Sequence, residues 1–241
     1  MSKVGIVAAL EREVRPLIRG WHPNEEVHDG RSFRFFEDQN SVLVCGGIGA
    51  EAARRATEAL ILLHRPEVVY SVGYAGALTP ALKVGNLIQP ARVINSSDGS
   101  SIQISGGQSV LVSYSAVATP QQKIKLREAF FADAVDMEAA AVASATQARG
   151  VEFRAVKVIS DEFDFEFPST ERFVDAQGQF SEAGFALFVA VRPWLWPPVF
   201  RLARNSRHAT CSLCELLAKI SGGQVSSTAS LQAAGGRSAK K

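Results

Sequence analysis

Short aliphatic runs alternate with segments of helical periodicity along this chain, and no other feature constrains its fold as strongly. Residues 3–9, 67–72 and 153–159 form strand-like runs rich in Val, Ala and Ile, and apolar residues recur at helical spacing over 50–64. Strands alternating with helices predict an α/β fold of three layers, α/β/α, with a central mixed sheet and helices on both faces. Further strands are predicted at 32–37, 41–45, 86–94 and 110–114, further helices at 11–19, 120–130 and 137–149, and a loop at 95–107.

The chain of 241 residues is long enough for one large domain with a buried core. We expect this main domain to cover residues 1–192. An extension at 193–220 contains a predicted basic amphipathic helix, which begins at residue 201. Residues 221–241 consist mainly of Gly, Ser, Ala and Lys, a composition typical of disorder.

Composition and the N-terminus narrow the class of protein. The net charge of +2 is too small to favour a nucleic-acid partner. No apolar run approaches the roughly 20 residues of a membrane-spanning helix. The first apolar stretch is followed at once by Glu11, Arg12 and Glu13 and has no small-residue cleavage site, which indicates a strand and not a signal peptide. We therefore expect a cytoplasmic protein.

The three cysteines do not predict a disulfide framework. Cys45 ends a strand-like run and is expected to be a small buried apolar residue. Cys211 and Cys214 form a CxxC pair in a helical segment, and His208 is the only obvious additional ligand nearby. A structural role for the pair is favoured over metal binding or redox chemistry, so no metal site is expected.

Polar residues follow several of the predicted strands. In open α/β sheets, ligands bind beyond the carboxyl ends of the strands. The polar positions at these ends come from distant parts of the sequence and are expected to converge on one cleft. They are Glu13 and residues 47–49, 73–76, 136–138 and 160–161.

Each of these motifs alone has an ordinary structural explanation. Gly47-Ile48-Gly49 before a helix could bind an anion or a hydroxyl through backbone N–H groups, or could simply be a tight turn. It is not a Walker loop, because no Gly-Lys-Ser/Thr follows. Asp161 could cap a helix, and Glu138 and Glu13 could favour the dipoles of the helices they begin. The individual motifs leave these alternatives open.

The order of the motifs is more specific than any one of them. ALEREV at 9–14 is followed by GIG at 47–49, GYAG at 73–76, VDMEA at 135–139 and VISD at 158–161. Over residues 3–165 this order resembles the purine nucleoside phosphorylase superfamily, most closely its 5′-methylthioadenosine/S-adenosylhomocysteine nucleosidase branch. The resemblance implies an enzyme that cleaves the N-glycosidic bond of a purine ribonucleoside. It also implies a homodimer without a cofactor, with phosphate as a conceivable co-substrate.

The resemblance assigns three catalytic residues. Asp161 matches the acid that protonates the purine at N7, and Ser160 would orient that acid. An acid in this role must hold a proton near neutral pH, as burial in an apolar pocket allows. Glu13 matches the acid that positions or activates water in the hydrolytic branch.

The resemblance also assigns the residues that bind the nucleoside. Glu138 matches the carboxylate that binds the ribose hydroxyls, and Met137 would pack against the sugar. Phe153 stands where the family contacts the base. The remaining substrate-binding positions implied by the resemblance are Gly49, Ala75 and Gly76.

The sequence departs from the nucleosidases at several positions. Tyr74 replaces a small Ser, Lys157 replaces an Arg, and Asp136 replaces a Glu. The segment between the strands at 86–94 and 110–114 is also much shorter. Since that segment encloses the base and the 5′ substituent in the family, we expect one side of the pocket to be open.

A second resemblance offers an explanation for these departures. SAVATPQQKIKLREAFFADAVDMEAAAVA at 115–143 and VRPWLWPPVFRLARNSRHA at 191–209 look like the hopanoid-associated phosphorylases. This resemblance implies a lipid-linked substrate such as adenosylhopane. Trp194 and Trp196 beside the basic helix are consistent with a peripheral membrane contact, but the same region could pack on the domain or at a dimer interface.

Several functional alternatives remain open from the sequence. Glu13 favours attack by water, whereas Arg12, Arg15, Arg54 and Arg55 could bind phosphate or could be solvated surface residues. The substrate could be methylthioadenosine or S-adenosylhomocysteine. A nucleoside-binding or membrane-surface protein without catalytic activity would not need Glu13, Glu138 and Asp161 together.

Overall fold

The computed structural model describes residues 3–166 and 196–222, together with 173, 175, 178, 181, 184, 185, 188, 189, 192 and 194. The strands are β1 Val4–Ala8, β2 His22–His28, β3 Arg31–Glu37, β4 Ser41–Cys45, β5 Val68–Ala77, β6 Leu87–Ile88, β7 Pro90–Asn95, β8 Ser101–Gln103, β9 Ser109–Ser113, β10 Ala134–Asp136 and β11 Glu152–Asp161. The helices are α1 Glu11–Ile18, α2 Ala50–His64, α3 Pro120–Phe130, α4 Ala139–Gln147 and α5 Trp196–Ser221.

A single mixed sheet contains all of these strands, in the order β2-β3-β4-β1-β5-β10-β9-β7-β8, with β11 paired to β5 and β6. The central pairs β1–β4, β1–β5 and β5–β11 are parallel, whereas β10 is antiparallel to β5. One edge of β5 pairs first with β1 and then with β10, and its other edge pairs with β11 along its length. The carboxyl ends of β5 and β11 therefore lie at the centre of the sheet.

Helices cover both faces of the sheet, as the sequence predicted. Ile6 and Val7 are neighbours in β1 and face opposite sides, because successive side chains alternate along a strand. Ile6 packs with residues of α1 and α5, and Val7 packs with residues of α2 and α4. The α/β architecture with a mixed central sheet is confirmed.

Two element boundaries near the polar motifs differ from the prediction. Strand β5 continues through Gly73 and Gly76 to Ala77, because both glycines pair with residues of β11. The helix predicted at 137–149 begins only at Ala139. Asp136 belongs to β10, where it pairs with Ser113 of β9 and accepts a hydrogen bond from the Ala139 N–H, so it precedes the helix.

Other differences concern short strands at the edges of the sheet. Strand β2 was not predicted, and its polar sequence explains why, since six of its seven residues are not aliphatic. The run at 86–94 is divided into β6 and β7, which pair with different strands. The predicted loop at 95–107 contains β8, which forms a hairpin with β7.

Helix α5 begins at Trp196, five residues before the predicted start at 201. Its apolar face, including Ala209, Leu213 and Leu217, is fully buried in a cluster with residues of β1 and α1. Trp194 and Phe200 remain largely exposed at its beginning. None of the helices in the described part of the chain is long and apolar enough to cross a membrane. The predicted disordered segment at 221–241 lies outside the described residues from position 223 onward.

Candidate active site

Two clusters of buried charge lie at the carboxyl ends of β5 and β11. A β-carbon at Gly73 would lie 2.7 Å from Glu13 Oε2, and one at Gly76 would lie 2.8 Å from Asp161 Oδ2. The two glycines are three residues apart in β5, which corresponds to about 10 Å. The sheet therefore brings Glu13 and Asp161 to the same end of β5, although 148 positions separate 13 from 161 in the sequence.

Asp136 is the structural anchor of the first cluster. Its Oδ2 accepts hydrogen bonds from the Ala139 N–H at 2.9 Å and from Lys157 Nζ at 2.9 Å. Its Oδ1 accepts from Ser113 Oγ at 2.6 Å, and that hydroxyl accepts from the Ala140 N–H. Every oxygen of the carboxylate is thus used to fix the start of α4, the helix that follows Glu138.

Glu138 is held by backbone groups from two directions. Its Oε1 accepts from the Gly49 N–H at 2.9 Å, and its Oε2 accepts from the Met137 N–H at 3.3 Å. Burial raises the pKa of Glu138 and the Asp136 carboxylate raises it further, against the opposing effect of Lys157. The side chain is therefore a well-oriented acid at the start of α4.

Glu13 lies in the first turn of α1 and is only 5% exposed. Burial raises its pKa from 4.5 to about 8, with a further contribution from Glu138, while Lys157 and Arg12 lower it. Among the residues that the structure describes, none donates a hydrogen bond to the buried Oε2. This oxygen faces Gly73, whose φ of 139° and short contact exclude any side chain there.

Asp161 forms the second cluster with a lysine. Its Oδ1 accepts from Ser160 Oγ at 2.8 Å, and its Oδ2 accepts from Lys123 Nζ at 2.5 Å. Ser160 Oγ also lies 3.5 Å from the carbonyl oxygen of Ala75 in β5. Asp161 is 3% exposed, so the ion pair is almost wholly buried.

The structure brings most of the predicted site residues to this end of the sheet. Around Glu13 lie Gly49, Met137 and Glu138, and around Asp161 lie Ala75, Gly76 and Ser160. Three buried carboxyl groups, of Glu13, Glu138 and Asp161, therefore lie at the same end of the sheet.

Phe153 does not lie at this end of the sheet, and its assignment to the base was wrong. It lies eight residues before Asp161 on the same strand, which corresponds to about 26 Å. Phe153 is close to the amino end of β11, packs against the core beneath α2 and lines a separate cavity of about 400 Å³ with Ile102 and Ile104. A nucleoside bound at Asp161 is too short to reach it.

Lys123 is the site residue that sequence reasoning missed. It occupies α3, a helix whose start is fixed by the capping box of Thr119 and Gln122. A lysine in a helix is ordinarily solvated, and neither neighbour, Gln122 or Ile124, marks it as buried. Nothing in the local sequence therefore distinguishes it from Lys125, which is exposed.

Two of the departures from the nucleosidases acquire structural roles. The Tyr74 hydroxyl lies 2.6 Å from Thr210 Oγ1 and donates to the Ser206 carbonyl at 3.2 Å, so this side chain attaches β5 to α5. Lys157 is paired with Asp136. Tyr74 and Lys157 therefore stabilise the positions of the elements that surround the candidate site.

Two of the four arginines that could bind phosphate, Arg54 and Arg55, form ion pairs with glutamates. Arg54 pairs with Glu51 and Glu58, and Arg55 pairs with Glu51, all on the surface of α2. The Gly49 N–H, a candidate anion-binding group, donates to Glu138. These three groups therefore bond to other residues of the same chain.

One group of potential metal ligands, Glu26, Glu37 and His64, occurs within the described residues. Lys3 Nζ lies 3.1 Å from Glu37 Oε2 and 3.5 Å from His64 Nδ1, so a cation of the protein already pairs with one of the two carboxylates. The group lies beside the amino end of β1, away from the carboxyl ends of β5 and β11. Cys211 is exposed and Cys214 is buried, with its thiol 3.7 Å from the Glu13 carbonyl oxygen.

Sequence comparisons identify a matching family and several related proteins. The model of the phosphorylase superfamily matches residues 3–120 and 109–191. The 5′-methylthioadenosine/S-adenosylhomocysteine nucleosidase of Actinobacillus succinogenes is 29% identical over 202 residues, covering 68% of this chain and 87% of the relative. That of Marinomonas sp. is 32% identical over 99 residues, but the match spans only 42% of the relative.

Structural comparison gives the same fold. The nucleosidase of Neisseria meningitidis in complex with methylthio-immucillin-A superposes with a TM-score of 0.69 at 18% identity, covering 91% of this chain and 98% of the other. Futalosine hydrolase of Helicobacter pylori superposes with a TM-score of 0.59 at 23% identity, covering 67% and 88%. These two superpositions show that the chain shares the fold of these enzymes.

Proposed function

This chain belongs to the phosphorylase superfamily, and we propose that it hydrolyses the N-glycosidic bond of a purine ribonucleoside and releases the free base. The observation that supports this proposal is that three buried carboxyl groups, of Glu13, Glu138 and Asp161, lie at the carboxyl ends of β5 and β11. A protein that merely bound a nucleoside would not need both a buried acid near Gly73 and a hydrogen-bonded Asp–Ser pair near Gly76.

The reaction separates the purine from a ribose that develops positive charge. As the C1′–N9 bond breaks, its electron pair passes to the base, which becomes a much better leaving group when N7 accepts a proton. Asp161 delivers that proton, and Ser160 orients its carboxylate through the 2.8 Å hydrogen bond. Burial of the pair in the cleft strengthens this interaction because the local dielectric constant is low.

Glu138 and Glu13 act on the ribose and on water. Glu138 accepts hydrogen bonds from the ribose hydroxyls, and its charge stabilises the cationic sugar in the transition state. Met137 packs against the sugar ring. Glu13 accepts a proton from the water that attacks C1′, and its pKa of about 8 means that its basic form increases as the pH rises to that value.

Hydrolysis is favoured over phosphorolysis by what surrounds the glycine-rich turn. A bound phosphate needs unoccupied N–H groups or cations. The Gly49 N–H donates to Glu138, and Arg54 and Arg55 are paired with glutamates on the surface of α2. Glu13 Oε2 has no hydrogen-bond partner among the described residues and can accept a hydrogen bond from water.

Product analysis with and without phosphate tests the proposed function. The full chain is incubated with 5′-methylthioadenosine and with adenosine, and the base and sugar products are separated. Release of adenine and the free ribose sugar at a rate independent of phosphate supports hydrolysis. A ribose 1-phosphate product would show phosphorolysis, and no release of base from any purine nucleoside would leave a binding function.

We further propose that the preferred substrate carries a large apolar 5′ substituent, as a lipid-linked adenosine does. Trp194 and Phe200 are each 70% exposed at the beginning of α5. The adjacent Arg201 lies over the Phe165 ring and 3.9 Å from Glu162, the residue that follows Asp161. An exposed aromatic surface therefore adjoins the cleft, and aromatic side chains of this kind contact lipid interfaces.

Point substitutions test this substrate better than removal of α5, because Leu213 and Leu217 of that helix belong to the core. Trp194→Ser combined with Phe200→Ser should reduce flotation with anionic vesicles and turnover of a lipid-linked adenosine, with methylthioadenosine turnover retained. Phe131→Ser is the matched control, since Phe131 is 82% exposed at the position directly after α3. Efficient cleavage of methylthioadenosine with none of the lipid-linked compound would contradict the assignment.

A further inference from the structure

Lys123 is a buried lysine whose ammonium group is directed into the candidate active site. Only 1% of the residue is exposed. Its Nζ donates to Asp161 Oδ2 at 2.5 Å and to the Glu162 carbonyl oxygen at 2.7 Å. Lysine is almost never fully buried without a partner, because removing an ammonium group from water is costly. The chain has thus placed a proton donor directly against its catalytic acid.

The hydrogen bonds of Asp161 raise the question of where its proton comes from. Both carboxylate oxygens accept hydrogen bonds, Oδ1 from Ser160 and Oδ2 from Lys123. Each carboxyl oxygen of Asp161 therefore faces a group that carries a hydrogen and can exchange it with that oxygen. The two donors are a hydroxyl and an ammonium group, and the ammonium group is by far the stronger acid.

We propose that Lys123 supplies, through Asp161, the proton that the departing purine accepts. This inference rests on the proposed function, since it concerns the leaving-group side of the same reaction. When the C1′–N9 bond breaks and its electron pair moves onto the base, Asp161 protonates N7. In the same process Lys123 Nζ passes a proton to Oδ2 and becomes a neutral amine, which still donates a hydrogen bond to the Glu162 carbonyl.

The proton balance closes with Glu13. The water that attacks C1′ gives one proton to the Glu13 carboxylate, while one proton leaves Lys123 for the base. The net charge of the protein is therefore the same before and after the reaction. Transfer of one proton from Glu13 to Lys123 through solvent restores the starting state.

Gly76 provides the space for this arrangement. A β-carbon at residue 76 would lie 2.8 Å from Asp161 Oδ2 and 3.3 Å from Lys123 Cε. The glycine thus allows the carboxylate and the lysine stem to approach the same point of β5. A proton relay needs such close contact, since proton transfer requires heavy atoms within hydrogen-bond distance.

Two variants of Lys123 distinguish a proton supplier from a mere counter-ion. Lys123→Met removes the proton and the charge at similar length, and Lys123→Arg keeps the charge but holds its proton at all accessible pH values. Steady-state kinetics with 5′-methylthioadenosine or adenosine, whichever the wild-type chain cleaves, are measured from pH 5 to 10. Thermal unfolding establishes that each variant is folded, and Lys123→Gln replaces the Met variant if that one is not.

Both variants should lower kcat by about 10²-fold or more, the usual contribution of general acid catalysis. In Lys123→Met the alkaline fall of kcat should move to lower pH by at least about one unit, because Asp161 must then hold the proton alone. Lys125→Met, an exposed change on the same helix, should match the wild type.

Near-normal turnover by folded Lys123→Arg would overturn the inference, since a fixed positive charge would then be sufficient. An unchanged pH profile in Lys123→Met would also overturn it. A wild-type chain that releases no base would defeat the proposed function and this inference together, whereas an active wild type with active Lys123 variants would defeat only the inference.

Discussion

The backbone N–H of Gly49 donates a hydrogen bond to Glu138 Oε1 over 2.9 Å, although 89 residues separate the two in the sequence. The glycine-rich turn before α2 therefore binds an anion, but that anion is a carboxylate of the protein itself. The positive end of a helix favours such a group. The turn thus orients the acid that we assign to the ribose.

Replacement of Glu138 by Gln should weaken both substrate binding and turnover. The amide oxygen can still accept from the Gly49 N–H, but the charge that interacts with the ribose is lost in the ground state and in the transition state. Hydrogen bonds to charged groups contribute about 1.5–3 kcal/mol, so kcat/KM should fall by about 10- to 10²-fold. Steady-state kinetics measure both effects, and Glu128→Gln, a change at an exposed position, is the control. An unaltered KM in Glu138→Gln would contradict the assignment of Glu138 to the ribose.

Asp161→Asn should abolish base release and also reduce stability. The amide cannot donate its protons as an acid, and the buried Lys123 loses its counter-charge, a change that costs about 3–5 kcal/mol for a buried pair. Adding Lys123→Met to Asp161→Asn should restore most of the melting temperature without restoring activity. A folded Asp161→Asn protein that still releases base at a near-normal rate would remove Asp161 from the mechanism.

Glu13→Gln should increase the stability of the folded chain at alkaline pH although it removes activity. The pKa of Glu13 is raised from 4.5 to about 8 in the folded chain, so the folded state binds more protons than the unfolded state between these values. Stability is therefore lost as the pH rises through this window, by about 5 kcal/mol at most. Gln has no proton to lose, and the variant should be more stable than the wild type above pH 8.

The same variant should be nearly inactive as a hydrolase, because it cannot accept a proton from water. Denaturant unfolding at pH 5 and pH 9 and product analysis at both pH values measure the two effects. Glu11→Gln is the control, since Glu11 lies in the same helical turn but its side chain is 42% exposed and paired with Arg34. Equal stability of wild type and Glu13→Gln at pH 9 would count against the raised pKa.

Gly76→Ala should impair the Asp161–Lys123 pair while leaving the fold in place. The new β-carbon would lie 2.8 Å from Asp161 Oδ2, and both partners are held by other contacts and cannot easily move. We expect a loss of about 1–3 kcal/mol in stability from overpacking and a fall of about 10²-fold in kcat. Gly20→Ala is the control, because no atom lies within 4 Å of its β-carbon position. Unaffected turnover in Gly76→Ala would show that the close approach is unnecessary.

The sequence by itself determined the layers of the fold and the end of the sheet at which the site lies. Alternation along β1 sends Ile6 and Val7 to opposite faces, and the helical period of α2 identifies its buried side. The buried side of a strand or helix is a local property, because the spacing of its hydrophobic residues indicates which side that is. The glycines and polar residues at the carboxyl ends of β5 and β11 then indicated where the site lies, because the carboxyl ends of parallel strands meet at one edge.

Only the tertiary structure decided which of those residues touch. Phe153 is on the same strand as Asp161 but at its far end, and Lys123 comes from a helix that no local pattern connects with the site. Helix α5 is amphipathic in sequence, yet the partner of its apolar face, the layer formed by β1 and α1, is set by the order of strands in the sheet. Local periodicity gives the face that must be buried, whereas the identity of the group buried against it depends on contacts between distant parts of the chain.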